Sequence, residues 1–366
     1  MNVLESIFKP YIVKKDYDGG ITRGEIMSPG DDVIVWKLSS NENILGPSPL
    51  AQKAILDNIS NLHEYGFRDD ISLKEAICNT VTYLHPENIV TANSGIEVLE
   101  LISRAFIQPG SECIISSPTF IAYKNMIENE GGITIDIPLI PKDYTIDVEG
   151  ILAAINSKTR LVFLTNPNNP TGTYTNKKSI DYLIDSLPED IVVVYDEVYY
   201  HFVDVPDFPR AIDYIEKNKT VIGIHSFSKA YGLAGIRLGY GISTPEISAY
   251  LNNIKRPFMI NTLSMVAGIH ALRDVDHLNK TVMLIRTEKQ WLYNKFDTLG
   301  VKYWPSQTNF IFFEPKIDLT LFINKMLQQG IMIRPCQKFG APNGARVTIG
   351  TREANKAFVH ALETIY

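Results

Sequence analysis

From about residue 95 to 240, short apolar runs alternate with stretches in which apolar side chains recur every three or four positions. The runs Glu112 to Ser116, Ile133 to Ile137, Arg160 to Thr165, Ile191 to Tyr195 and Thr220 to His225 have the length and β-branched content of strands. Residues 96–107, 119–129, 147–156 and 176–187, between most of them, carry the helical period. Such alternation predicts βαβ units, and therefore an α/β unit with a mostly parallel sheet covered by helices on both faces. Past residue 258 the pattern changes to two long helices, 262–273 and 278–298, then shorter strands near 309–313, 331–334 and 345–349 and a final helix from about 352. That is the signature of a smaller α+β domain. The expected division is a large α/β domain over 48–258 and a small one built from 1–47 and 259–366. The first 40 or so residues have little periodicity and are expected to form an arm against the small domain or a partner subunit.

Composition narrows the function classes. In 366 residues, 45% are hydrophobic and 21% charged, enough apolar content for sizeable cores and too much for a disordered chain. The balance of 35 Lys and Arg against 41 Asp and Glu, net charge −6, argues against a general grip on nucleic acid. Cys78, Cys113 and Cys336 are odd in number, far apart and in no metal-ligand spacing, so neither a disulfide framework nor a metal site is expected. The N-terminal residues lack a signal-peptide apolar region, and no uninterrupted apolar stretch reaches the roughly 18 residues of a membrane span. A cytoplasmic protein with no membrane partner is the expectation.

In open parallel sheets, ligands bind beyond the carboxyl ends of the strands, and four such loops here carry unusual residue sets. The densest runs from His225 to Tyr240, with Ser226, Ser228, Lys229 and Arg237 among Gly232, Gly235 and Gly239. A lone lysine past a strand is ordinary surface. Beside two hydroxyls and a guanidinium that can hold an anion, Lys229 can form a Schiff base with an aldehyde. The second loop ends an apolar strand in Asp196, with Tyr199 three residues on. A strand-end carboxylate commonly caps a turn; it is also what a protonated pyridine nitrogen needs beneath it. The third, Asn166 to Gly172, is a turn former in which Asn169 precedes a proline and offers an amide donor. The fourth, Ser94-Gly95-Ile96-Glu97, is a strand-to-helix junction whose free N–H groups suit an anion as well as they suit a plain capped helix.

Taken together, the segments SNENILGPSP (40–49), SPTFIAY (117–123), NPNNPTG (166–172), YDEVY (195–199), SFSKAYGLAGIRLGY (226–240), TNF (308–310) and RVTIGTRE (346–353) resemble the fold type I family of pyridoxal-phosphate enzymes. Within it they resemble the histidinol-phosphate aminotransferase group, in the group's order and over nearly the whole chain. The resemblance implies a fold type I transferase whose large α/β domain has a seven-stranded type of sheet sandwiched by helices, and in which Lys229 carries the pyridoxal 5'-phosphate, Asp196 pairs with the ring nitrogen, and Asn169 and Tyr199 contact the ring oxygen. It implies that Phe120 stacks on the ring, that Ser94, Gly95, Ile96, Ser226, Ser228 and Arg237 hold the phosphate, and that Tyr65 reaches the cofactor of the second subunit of a homodimer. Tyr11, Asn43, Arg334 and Arg346 match positions near the substrate. The implied reaction is ping-pong transamination between histidinol phosphate and 2-oxoglutarate, an amino donor and a 2-oxo acid; the alternative is an aromatic or broad-specificity aminotransferase. Three segments depart from the group: Glu64 to Asp69 replaces a Tyr-Pro-Asp setting, Ser94-Gly95-Ile96-Glu97 replaces Gly-Ser-Asp-Glu, and Phe258 and Met259 stand where a tyrosine hydroxyl is usual.

Overall fold

The computed structural model describes residues 7–13, 35–66 and 69–366. The first half contains β1 (Trp36–Lys37), α1 (Pro49–Asn58), α2 (Ile71–Cys78), β2 (Ile89–Ala92), α3 (Gly95–Phe106), β3 (Glu112–Ile115), α4 (Ala122–Asn129) and β4 (Ile133–Asp136). Then come α5 (Val148–Ala154), β5 (Thr159–Thr165), α6 (Lys177–Ser186), β6 (Val192–Asp196), α7 (Ala211–Ile215), β7 (Val221–Ser226), β8 (Gly239–Ile242) and α8 (Pro245–Asn253). The remainder is α9 (Thr262–Arg273), α10 (Val275–Leu299), β9 (Lys302–Tyr303), β10 (Phe310–Glu314), α11 (Leu319–Gln328), β11 (Ile331–Met332), β12 (Arg334–Pro335), β13 (Ala345–Thr348) and α12 (Arg352–Ile365). Polar side chains start many of these helices by accepting the first free N–H groups: Ser48 from Ala51, Asp147 from Gly150, Asn261 from Ser264 and Thr351 from Ala354.

The expected seven-stranded α/β sheet is present, in the order β2-β8-β7-β6-β5-β3-β4. Strands β4, β3, β5, β6 and β7 run parallel, and β8 is antiparallel to both β7 and β2. Alternation along each strand feeds two cores. Leu161, Phe163, Val192, Val194, Ile222 and Ile224 pack with α3, α4 and α8 on one face. Val162, Leu164, Val193, Tyr195 and Val221 pack with α1, α2, α5, α6, α7 and α9 on the other. A sheet buried on both faces has to expose its chemistry at its ends, which is where the site forms.

The second unit is the antiparallel sheet β12-β13-β10-β9, covered by α10, α11 and α12. Strand β1 joins β11 in parallel, so the segment before the large sheet is tied to the chain's last third. The predicted strand 331–334 is two: Ile331–Met332 pairs with β1, and Arg334–Pro335 pairs with β13. Helix α9, placed by the sequence division on the small-domain side, buries Met265, Ala267, Ala271 and Leu272 in the core of the large sheet, against α1 and α2. Most of the N-terminal arm lies outside the described residues.

Candidate active site

Register brings the four loops to one edge. Asp196, the last residue of β6, is flanked by Thr165 at the end of β5 and by Ile224 in β7. Because β8 runs backwards, its first residue, Gly239, lies opposite both Ser226 at the end of β7 and Ala92 at the end of β2. The segments carrying Ser94, Ser226, Lys229 and Arg237 therefore converge. They line a cavity of about 300 Å³ together with Gly95, Ile96, Phe120, Asn169, Asp196, Tyr199 and Ser228.

At the base of the cavity Asp196 is 6% exposed. Its Oδ2 accepts from Tyr123 Oη at 2.6 Å and its Oδ1 from the Val198 N–H at 3.2 Å. Burial pushes this carboxyl up to about 6, more than the Tyr123 and Val198 donors and the Lys229 ammonium pull it back. Lys229 Nζ is 3.4 Å from the Ser40 carbonyl and 5.6 Å from the centre of the Tyr199 ring. The Tyr199 hydroxyl accepts from Asn41 Nδ2 at 3.0 Å. Asn169 Oδ1 accepts from the guanidinium of Arg346, which leaves the amide N–H groups to face the cavity.

At the other end stand the residues expected to form a seat for an anion. Ser94 caps α3 with its Oγ accepting from the Glu97 N–H at 3.4 Å, and its φ of +124° is a backbone state unusual for a residue with a side chain. A Cβ on Gly239 would stand 2.3 Å from the Gly95 nitrogen, so only glycine lets β8 approach the start of α3. Arg237 adopts a left-handed backbone, φ +58°, and donates through Nη1 to the Ala234 carbonyl at 2.8 Å. Behind the seat, the fully buried Glu197 accepts from Arg210 Nε at 2.9 Å and the Ala211 N–H at 3.1 Å, and lies 3.2 Å from His225 Nε2. Burial alone would raise the Glu197 carboxyl, but Arg210 and His225 outweigh it and hold it at about 2. This ionic cluster clamps the ends of β6 and β7, next to Asp196 and Ser226.

Other expected residues stand elsewhere. Arg346 is 4% exposed and opposite Arg334 across β12 and β13, and both guanidiniums lie over the Phe339 ring, at 5.6 and 5.4 Å. Arg346 also donates to the Ser39 carbonyl at 2.8 Å, while its buried Nε has no hydrogen-bond partner among the described residues. Neither arginine lines the cavity of about 300 Å³. Asn43, expected at the substrate, donates to the Ala230 carbonyl at 2.9 Å, in the loop after Lys229, and to Thr281 Oγ1 at 3.0 Å. Tyr11 lies against Gly131, outside the cavity of its own chain. Tyr65 is 86% exposed, its ring 5.2 Å from that of Phe258. Ser40, Glu42, Tyr123 and Thr165 line the cavity without having been singled out in the sequence. For Tyr123 no local signal was available, because Asp196, which accepts its hydrogen bond, lies 73 residues further along the chain.

Comparison with known proteins agrees with this arrangement. Residues 33–362 match the family model for aminotransferase class I and II. The histidinol-phosphate aminotransferase of Moorella thermoacetica is 38% identical over 91% of this chain and 86% of its own. Histidinol-phosphate aminotransferase 2 of Pseudomonas fluorescens is 33% identical over 97% and 94%. Among solved structures, histidinol-phosphate aminotransferase from Sinorhizobium meliloti in complex with pyridoxal-5'-phosphate superposes with a TM-score of 0.82 at 25% identity, covering 91% of this chain and 92% of that one. Sequence, fold and site thus converge: the chain belongs to the aminotransferase class I and II family.

Proposed function

We propose that the protein is a pyridoxal-phosphate-dependent aminotransferase that exchanges an amino group between histidinol phosphate and 2-oxoglutarate. The observation that carries this reading is one cavity of about 300 Å³ holding a lysine amine, a buried carboxylate and an anion seat at the ends of adjacent strands. Three features fit the cofactor. Gly239 lets the start of β8 close on the start of α3, where a Cβ would meet the Gly95 nitrogen, and so sets the free N–H groups of α3 beside Ser226 and Arg237. Asp196, buried without a cationic side chain in hydrogen-bond contact, suits a protonated ring nitrogen. Ser94, Ser226, Ser228 and Arg237 form a donor set for phosphate oxygens.

Pyridoxal phosphate, when bound, supplies an electron-withdrawing ring that stabilises negative charge at the substrate α-carbon. The chain's residues do the rest. Asp196 would hold a proton at the ring nitrogen, Asn169 and Tyr199 would donate to the ring oxygen, and Phe120 would cover a ring face. The Lys229 amine would be the base that removes the substrate α-proton and the acid that returns it. Arg346, with Arg334 opposite it across β12 and β13, offers positive charge to the anionic group of the substrate.

The working unit in this proposal is a homodimer. Tyr65, Leu62 and Ile59 are 86%, 58% and 53% exposed, an apolar surface that a second copy would cover while Tyr65 reaches the partner's phosphate seat. The expected site is the cytoplasm, in keeping with the three free cysteines and with no described helix being long and apolar enough to cross a membrane.

One observation favours the runner-up, an aromatic or broad-specificity aminotransferase. Phe258 removes a hydroxyl donor from the segment where the resembling group has a tyrosine, and a polar group left unmatched discriminates strongly between substrates. Steady-state kinetics with histidinol phosphate, phenylalanine and tyrosine as donors to 2-oxoglutarate decides between them. Parallel double-reciprocal lines, with the highest kcat/KM for histidinol phosphate, are expected. A preference for phenylalanine or tyrosine would transfer the assignment to the runner-up, and release of carbon dioxide would make the protein a decarboxylase.

A further inference from the structure

Tyr123 is 1% exposed, stacked on Phe163 with ring centres 5.2 Å apart and edge-on to Phe120 at 5.6 Å. That packing requires only a phenyl ring. The hydroxyl needs its own account, because a buried polar group is retained against a desolvation penalty. It donates to Asp196 Oδ2 at 2.6 Å and accepts from Thr165 Oγ1 at 3.0 Å. With its oxygen already taking the Thr165 proton, the Tyr123 proton is directed to Asp196.

We propose that Tyr123 is a positioning residue which, oriented by Thr165, fixes the Asp196 carboxylate and holds it in the ionised form that a cationic ring nitrogen requires. The inference rests on the cofactor reading above. The groups facing Asp196 are Tyr123 from α4, the Val198 N–H, Lys229 after β7 and its neighbour Glu197. Burial and the Asp196 carboxylate push the Tyr123 phenol well above its ordinary range, more than the Thr165 hydrogen bond pulls it back, so it remains a donor at every pH the protein encounters. Among the charge-bearing neighbours, Lys229 is committed to chemistry, so Tyr123 is the side chain left to offset burial throughout turnover. A hydrogen bond to a charged group is worth enough to move an ionisation midpoint by about one pH unit.

The test is pyridoxal phosphate binding to the full-length, cofactor-free chain, measured by equilibrium dialysis across the acid and neutral range for the unmodified protein, Tyr123→Phe and Thr165→Val. Binding weakens on the acid side as Asp196 takes up a proton. Tyr123→Phe is expected to move that midpoint upward by about one pH unit, with binding about tenfold weaker on the acid side of both midpoints and little changed well above them. Thr165→Val, which keeps the phenol but removes the donor that orients it, is expected to move the midpoint the same way by less. Midpoints that superimpose for all three proteins, or an affinity lowered equally at every pH, would assign Tyr123 to packing alone and overturn the proposal. Failure of the unmodified chain to bind the cofactor would instead overturn the reading on which it rests.

Discussion

At the residue scale the account turns on Lys229. Its Nζ has only a 3.4 Å contact with the Ser40 carbonyl and lies over the Tyr199 ring, so the amine faces the cavity instead of being consumed by an ion pair. Lys229→Ala is expected to lower kcat for transamination by at least about 10³-fold, since both the covalent attachment and the general base are lost. Thermal unfolding of the cofactor-free variant, unchanged within a degree or so, would show that the loss is chemical. These residues were legible in the sequence because strand-end loops announce themselves: an apolar run, then Asp196, or an apolar run, then Ser226, Ser228 and Lys229. Asn41 and Tyr123 were not, because each acquires its role from a partner far along the chain, Tyr199 for one and Asp196 for the other. Local spacing carries no trace of such pairs. Asn43 was picked out by resemblance, and its amide donates to the Ala230 carbonyl and Thr281 Oγ1.

Elements determine how the phosphate seat is assembled. The β5, β6 and β7 strands and helices α3, α4, α5 and α6 follow the hydrophobic period, whereas the reversal of β8 does not: Gly239 to Ile242 is four residues long with two glycines. Its direction is set by tertiary pairing with β7 and β2. That reversal is what delivers Arg237 to the same edge as Ser94. Gly239→Ala places a methyl group where the Gly95 nitrogen stands 2.3 Å away, so the start of α3 has to shift. The expected result is loss of stability by about 1 to 3 kcal/mol and weakening of pyridoxal phosphate binding by tenfold or more. Denaturant unfolding and cofactor titration together check this; an unchanged affinity would show that the anion seat is not where α3 meets β8. Helix α1 escaped the sequence pattern for a different reason: the only residues it buries are the two small ones Ala51 and Ala54.

For the whole molecule, the site sets a tension between stability and function. Asp196 ionises near 3.8 when exposed and near 6 in the fold, so folding favours its protonated form. Its stabilising contribution is complete below the unfolded value and is lost as pH rises through 6, a cost of about 3 kcal/mol at neutral pH. Glu197 behaves in the opposite sense: held at about 2 against an ordinary 4.5, it contributes above 4.5 and that contribution is lost as pH falls toward 2. Asp196→Asn is therefore expected to raise the unfolding temperature of the cofactor-free chain at neutral pH by several degrees. The same variant should weaken cofactor binding and reduce kcat by about 10² or more. A cofactor-free variant no more stable than the unmodified chain at neutral pH, and no different in its pH profile, would contradict the idea that the site stores this penalty.

The central claim, that this chain moves an amino group through a Lys229-centred site, is tested most directly by a half-reaction. Cofactor-loaded protein is mixed with excess histidinol phosphate and no oxo acid, and the oxo product is quantified by mass spectrometry. The account predicts one equivalent of oxo product per subunit, then arrest, with turnover resuming on addition of 2-oxoglutarate and none at all in Lys229→Ala. Absence of oxo product from histidinol phosphate, phenylalanine and tyrosine alike, in protein that has bound its cofactor, would contradict it.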